Sequence, residues 1–197
     1  LIGTSKKRKL VPTKWSISAT DNVLSNYFKR KIVEYPEIDH YEVYLFEHLH
    51  NLYSVILIPD SLLNFEMIEA WIAENGNYSL QSDCESRDRA NHSPRIAGAY
   101  FAGKFAVEEH LYSRRRSSSS VIIREVKPDY VMPLGVWQVR EGVRSTLKQF
   151  CLKFDSIKSA ISYAMSRTSL PKIHWISKSK ILKNHTMQSR ILDFIEK

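Results

Sequence analysis

Asp60, Glu125 and Lys127 are the residues of this chain whose types could carry hydrolysis. Two carboxylates holding Mg²⁺, with a lysine that positions or activates the attacking water, are the parts of a metal-dependent nuclease. Glu125 and Lys127 lie two apart on a predicted strand and so share a face, while Asp60 follows Pro59 at the end of another. An entire predicted helix separates Asp60 from Glu125, a long gap for that class, so coincidence is the better account and no catalytic residue is assigned. A second constellation is a polar pocket of Arg124, Glu125, Trp137, Gln138, Arg140 and Glu141, with Trp137 as a stacking surface for a nucleotide or a lesion. The same residues suit a buried, salt-bridged network under a sheet equally well. His48 and His50 share a strand face and could share a metal, but no third ligand lies near. There is no Ser/His/Asp set, zinc signature or Walker loop.

Phosphate binding is the chemistry that composition favours. Lys and Arg outnumber Asp and Glu by 29 to 21, for a formal charge of +8 and a pI near 9.4, the sign expected of a protein that meets polyanions, DNA first among them. A basic surface without a partner is the competing reading. Lys6, Lys7, Arg8 and Lys9 form a run that leads to Lys14 and Trp15, an arm in which the indole stacks on a base while the lysines neutralise phosphates. An anchoring Trp15 that pins the segment to the core fits as well. Arg114, Arg115 and Arg116 precede four serines and offer guanidinium forks to phosphate. Arg140, Arg144 and Lys148 recur at helical spacing as a basic stripe, opposite an apolar face of Val139, Val143, Leu147 and Phe150.

These groups need elements to hold them. Hydrophobic residues at 43% and charged residues at 25% are globular values. No apolar run approaches the roughly 20 residues of a membrane span, so no membrane partner is expected. Cys84 and Cys151 alone cannot build a disulfide framework, which makes a reducing compartment the default. Leu1 and the lack of an apolar leader suggest a fragment or processed piece. Helical spacing predicts helices over 21–34, 65–73, 95–116, from about 139 to 154, and 156–167. Gly98 and Gly103 in the third of these read as sites of close packing rather than as a phosphate loop. Alternation predicts a hairpin of 41–49 and 52–58, turned at His50 and Asn51, and a strand over 121–126. The polar stretch 76–94, with Arg87 and Arg89, reads as a long loop. The expectation is a single α+β domain over 1–176, a small mostly antiparallel sheet flanked by helices. Residues 177–197 read as a flexible tail: a tether bearing Lys178, Lys180 and Lys183, then a terminal peptide.

In that peptide Gln188, Ile191, Phe194 and Ile195 stand at the spacing of the segment with which replication and repair proteins dock on the sliding clamp, PCNA, which it resembles. One helical turn puts Ile191, Phe194 and Ile195 on one side as an apolar plug, and the glutamine amide bonds to backbone beside the pocket. Ile195 departs from the pattern, where a second aromatic is commoner. A terminal amphipathic helix packed back on its own domain is the alternative.

Several longer blocks carry a wider resemblance: residues 7–16 (KRKLVPTKWS), 97–102 (AGAYFA), Ile123, Arg124 and Glu125, residues 135–144 (GVWQVREGVR), and the terminal peptide. Together they resemble the archaeal Nre DNA-repair proteins over nearly the whole chain. The resemblance implies a cytoplasmic factor of DNA-damage repair that interacts with PCNA through its tail. It also implies a longer protein with a cysteine-rich, metal-binding segment earlier on, so that this sequence looks like the later half. Zinc would belong to that earlier segment, Mg²⁺ only to a nuclease, and no cofactor is expected in this chain. Lys14 stands where the family is expected to have an arginine, which keeps the charge and loses the fork.

Overall fold

The computed structural model describes residues 13–85, 96, 98–131 and 134–187, with 13–15 and 187 by backbone alone. Lys6, Lys7, Arg8, Lys9, Arg87 and Arg89 lie outside the described residues, as do Gln188, Ile191, Phe194 and Ile195 of the terminal peptide. The side chains of Lys14 and Trp15 lie outside them too.

The chain begins with α1 (Thr13–Ile32), then runs through β1 (Tyr41–His48), β2 (Asn51–Ile58), β3 (Phe65–Ile72) and β4 (Tyr78–Glu85). There follow α2 (Gly98–Arg114), β5 (Ser119–Val126), α3 (Val136–Leu147), β6 (Leu152–Phe154), α4 (Ile157–Ala164), α5 (Lys172–Lys178) and α6 (Lys180–Met187). The six strands form one sheet in the order β4-β3-β5-β2-β1-β6. Every neighbouring pair is antiparallel except β3 and β5, which run parallel. This is the expected α+β architecture. The hairpin of β1 and β2 closes one position earlier than expected. His48 pairs with Asn51, so Leu49 and His50 form a two-residue turn with φ of 48° and 57°, the positive values that match strand twist. The Asn51 side-chain amide donates to the Leu49 carbonyl at 2.7 Å and holds that turn.

Side chains on alternate residues feed two cores, one on each sheet face. Tyr53, Val55 and Leu57 of β2, Met67 of β3 and Ile122 of β5 pack beneath α1, α2 and α3. Val43, Ile56, Ile68, Val121 and Ile123 pack beneath α4, α5 and α6, with Trp175 and Leu182. The α2 glycines serve close approach, as expected: a Cβ on Gly103 would lie 2.9 Å from Ile122 Cδ1, and one on Gly98 2.6 Å from Val136 Cγ1.

Four expectations are corrected. Residues 65–72 form strand β3, not a helix. The spacing of Phe65, Ile68, Trp71 and Ile72 imitates a helical stripe because β3 is covered on both faces, with Phe65 and Met67 on one and Ile68 and Ala70 on the other. The polar stretch after Gly76 begins with β4, an edge strand whose outer half is exposed and therefore polar. The helix expected to reach residue 154 stops at Leu147. Phe150 is 83% exposed, and Leu152 and Phe154 instead pair with β1. Finally, 180–187 is helix rather than tether, with Ile181 and Leu182 buried. Its first turn is held from the sheet, because the buried Glu66 carboxylate of β3 accepts from the Lys180 and Ile181 amides at 2.9 and 3.0 Å and from the Ser179 hydroxyl.

Candidate nucleic-acid interface

At one end of the sheet Arg124 of β5 reaches under α3. Its guanidinium donates to Asn51 Oδ1 at 3.0 and 2.6 Å, to Glu69 at 2.5 Å and, more weakly, to the Gln138 side-chain carbonyl at 3.4 Å. The Gln138 carbonyl also accepts from the Tyr53 hydroxyl at 3.1 Å. Burial, together with the nearby Glu69 charge, pushes the Tyr53 phenol up to about 12 despite Arg124 and Gln138. Three rings surround the cation, at 5.8 Å for Tyr53, 5.5 Å for Trp71 and 6.0 Å for Tyr130. Trp71 is 45% exposed, so the cluster presents an aromatic face to solvent above an arginine held by Asn51, Glu69 and Gln138. Such a surface can stack on a planar ring.

Of the pocket residues expected from sequence, only Arg124 and Gln138 come together here. Glu125 points to the opposite sheet face, where its buried carboxylate accepts from the Ser169 amide at 2.8 and 3.0 Å and the Leu170 amide at 3.2 Å. Glu141 accepts from Arg144 at 2.7 Å, and Trp137 is 46% exposed on the helix surface. Asn51, Glu69, Trp71 and Tyr130 complete the cluster in place of the expected residues. An acid inside the apolar run of β3 was the available signal for Glu69.

The candidate nuclease residues are not brought together. Glu125 pairs in register with Leu52, at one end of β2, while Asp60 lies beyond Ile58 at the other, roughly 25 Å away at about 3.4 Å per residue. Asp60 accepts from the Leu62 amide and lies 3.5 Å from His185. Lys127 pairs with Glu47. Among the described residues no group of three or more His, Cys, Asp or Glu side chains could hold a metal, His48 and His50 included.

The expected phosphate-binding arginines are mostly occupied. Arg114 bonds to Glu42 and to the Tyr44 hydroxyl. Burial raises the Glu42 carboxyl, but Arg114 and Tyr44 outweigh it and hold the group below its ordinary value. Arg140 joins α3 to α1 through Asp21 at 2.6 Å, and Arg144 joins α3 to α2 through Glu109 at 2.7 Å. Arg116 donates to the Glu37 carbonyl at 3.4 Å. Arg115 and Lys148 extend from the exposed surface. The basic stripe on α3 is thus largely an interhelical fastening.

A second charged cluster lies inside this helical layer. Lys104 of α2, 1% exposed, donates to both Glu85 oxygens at 3.0 and 2.8 Å, and Lys29 donates to Glu85 at 2.7 Å. Tyr100 donates to Glu85 at 3.0 Å, and Ser25 donates to Glu108. A cavity of about 20 Å³ adjoins Lys29, Asn64 and Glu108, room for one water. Burial raises the Glu108 carboxyl to about 7 against the pull of Lys104 and Ser25. Its folded pKa thus exceeds the ordinary 4.5, so the stability it contributes is complete below that value and lost as pH rises through about 7. Glu108→Gln, neutral throughout, is expected to gain on the wild type by up to about 1.4 kcal/mol per pH unit across this window. Urea unfolding at about pH 5 and about pH 7.5 measures it, and an equal difference at both would show an ordinary carboxyl.

The class defined by this geometry is a layered α+β protein, one six-stranded sheet with a helical layer on each face. Residues 1–76 match the family described as Archaeal Nre, N-terminal, and residues 85–194 match Archaeal Nre, C-terminal. The chain belongs to the archaeal Nre family. It carries sequence of both parts, and their boundary falls within the β3–β4 hairpin of a single sheet. DNA repair protein NreA of Archaeoglobus fulgidus is 37% identical over 172 residues, 85% of this chain and 44% of the relative. DNA repair protein NreB of the same organism is 32% identical over 182 residues, 90% of this chain and 46% of the relative. DNA repair protein NreA of Haloferax volcanii is 38% identical over 152 residues, 73% of this chain and 36% of the relative. The chain therefore spans less than half the length of these relatives. No solved structure matches it. No helix among the described residues is long and apolar enough to cross a membrane.

Proposed function

We propose that this chain acts in the cytoplasm as part of a DNA-repair factor that binds DNA through basic surfaces and is recruited to the sliding clamp, PCNA, by its terminal peptide. Family membership carries the repair reading, since relatives that match most of this chain are named DNA repair proteins. The clamp reading rests on Gln188, Ile191, Phe194 and Ile195, which directly follow α6. The glutamine amide would bond to backbone beside an apolar pocket filled by the other three. Binding to DNA rests on the net charge of +8 and predicts an affinity that falls steeply with salt, as bound cations release counterions.

Calorimetric titration of the clamp with the full chain and with Phe194→Ala tests the recruitment. Loss of a buried aromatic anchor typically costs about 2 kcal/mol or more, roughly thirtyfold in affinity. Equal affinity for the two chains would remove the peptide from the account.

A further inference from the structure

Between Ser156 and Met187 the chain holds Lys158, Arg167, Lys172, Lys178, Lys180 and Lys183, and no aspartate or glutamate at all. This segment is the whole of the α4–α6 layer. Of its apolar residues, Ala160, Ile161, Ala164, Trp175, Ile181 and Leu182 are buried, while Ile173 is exposed. The cations therefore occupy the outer side, with Lys158, Arg167, Lys172 and Lys180 exposed and Lys178 and Lys183 half-buried. None of the six forms an ion pair with any acid among the described residues, unlike Lys29, Lys104, Arg114, Arg140 and Arg144 on the other face. The acids nearest the layer are engaged: Glu66 and Glu125 lie buried beneath it on backbone amides, and Asp60 sits beside His185. Exposed Ser159, Ser162 and Ser166 stand among the cations and add hydroxyl donors suited to phosphate oxygens.

From these observations we infer that the outer surface of α4–α6 is the face that binds the phosphate backbone of duplex DNA. The inference rests on the proposed DNA binding and says where it happens. A cation releases counterions from DNA only if no protein carboxylate already neutralises it, which favours this layer over the α1–α3 layer despite the arginines there. The backbone is contacted without base readout, since the surface offers a spread of flexible lysines rather than a fixed pair of forks.

The test compares three forms of this chain by fluorescence anisotropy with a random-sequence duplex across a salt series. They are the wild type, Lys158→Gln/Lys172→Gln/Lys180→Gln/Lys183→Gln, and a control on the opposite layer, Arg30→Gln/Lys31→Gln, each checked for an unchanged unfolding midpoint. The fourfold variant is expected to lose affinity by about tenfold or more and to show a log–log salt slope shallower by up to about 3.6, near 0.9 for each phosphate contact removed. The control is expected to bind almost as the wild type does. Wild-type affinity in the fourfold variant, with or without a loss in the control, would overturn the assignment of this face while leaving DNA binding in place. Absence of binding by the wild type would overturn both. Normal DNA binding together with lost clamp binding in the fourfold variant would assign the layer to an acidic protein surface instead and equally overturn the proposal.

Discussion

Arg124→Met is expected to destabilise the fold by about 3–5 kcal/mol, the range for removing one partner of a buried ion pair. The reason is what the substitution leaves behind. Glu69 is 9% exposed and would keep a single strong donor, the Trp71 indole N–H at 2.5 Å. Asn51 would lose two donors and Gln138 one, and three rings would lose the cation that packs among them. For a chain of 197 residues such a loss lowers the melting temperature by roughly 10 °C or more. The companion variant Arg124→Met/Glu69→Gln removes the orphaned charge and is expected to recover part of the loss. An additive or worse double variant would show that Arg124 acts through packing alone. DNA binding by these variants, measured below their melting temperatures, separates a structural arginine from one that orients the Trp71 surface. Weakened binding with an unchanged salt slope points to lost stacking, because no phosphate contact has been removed.

The sheet was partly legible in the sequence. The β1–β2 hairpin announces itself through alternation and β-branched residues, and the α2 glycines announce close packing. What stayed hidden was whatever depends on a partner distant in the chain. Strand β3 carries apolar residues toward two cores, so its period of two is erased and a helical spacing emerges by coincidence. Helix α6 reads as a lysine-rich tether because its capping carboxylate, Glu66, lies more than a hundred residues upstream. Cations are the sharpest case. Arg140 and Arg144 fall on a helical stripe that looks ready for phosphate, yet their partners Asp21 and Glu109 sit on α1 and α2. Charge counting along a sequence cannot tell a neutralised arginine from an available one. The useful signal was the absence of acids from 156–187, which needs no partner to be seen and survives into the folded surface.

Lys104→Met is expected to cost a similar 3–5 kcal/mol near neutral pH, and the cost is expected to depend on pH. In the wild type, burial pushes the Glu85 carboxyl up, but Lys104 and Lys29 outweigh it and hold the group below its ordinary value. A lowered folded pKa contributes stability that is present above the ordinary value and lost as pH falls through the lowered one. Without Lys104 the cation left on Glu85 among the described residues is Lys29, and Glu108 loses an ammonium that opposes its burial. Both carboxyls then bind protons more tightly in the folded variant, so its stability falls as pH rises. The two effects widen the gap between wild type and variant in the same direction, from a smaller difference near pH 4.5, where the buried carboxyls of the variant are protonated, to the full cost above pH 7. Urea unfolding of both chains across that interval measures it. A gap that is constant with pH would mean that Lys104 contributes its methylene packing between α2 and the sheet rather than its charge. Adding Glu85→Gln to Lys104→Met distinguishes the cases again. If charge is the cause, the double variant recovers stability at pH 7 and gains little at pH 4.5.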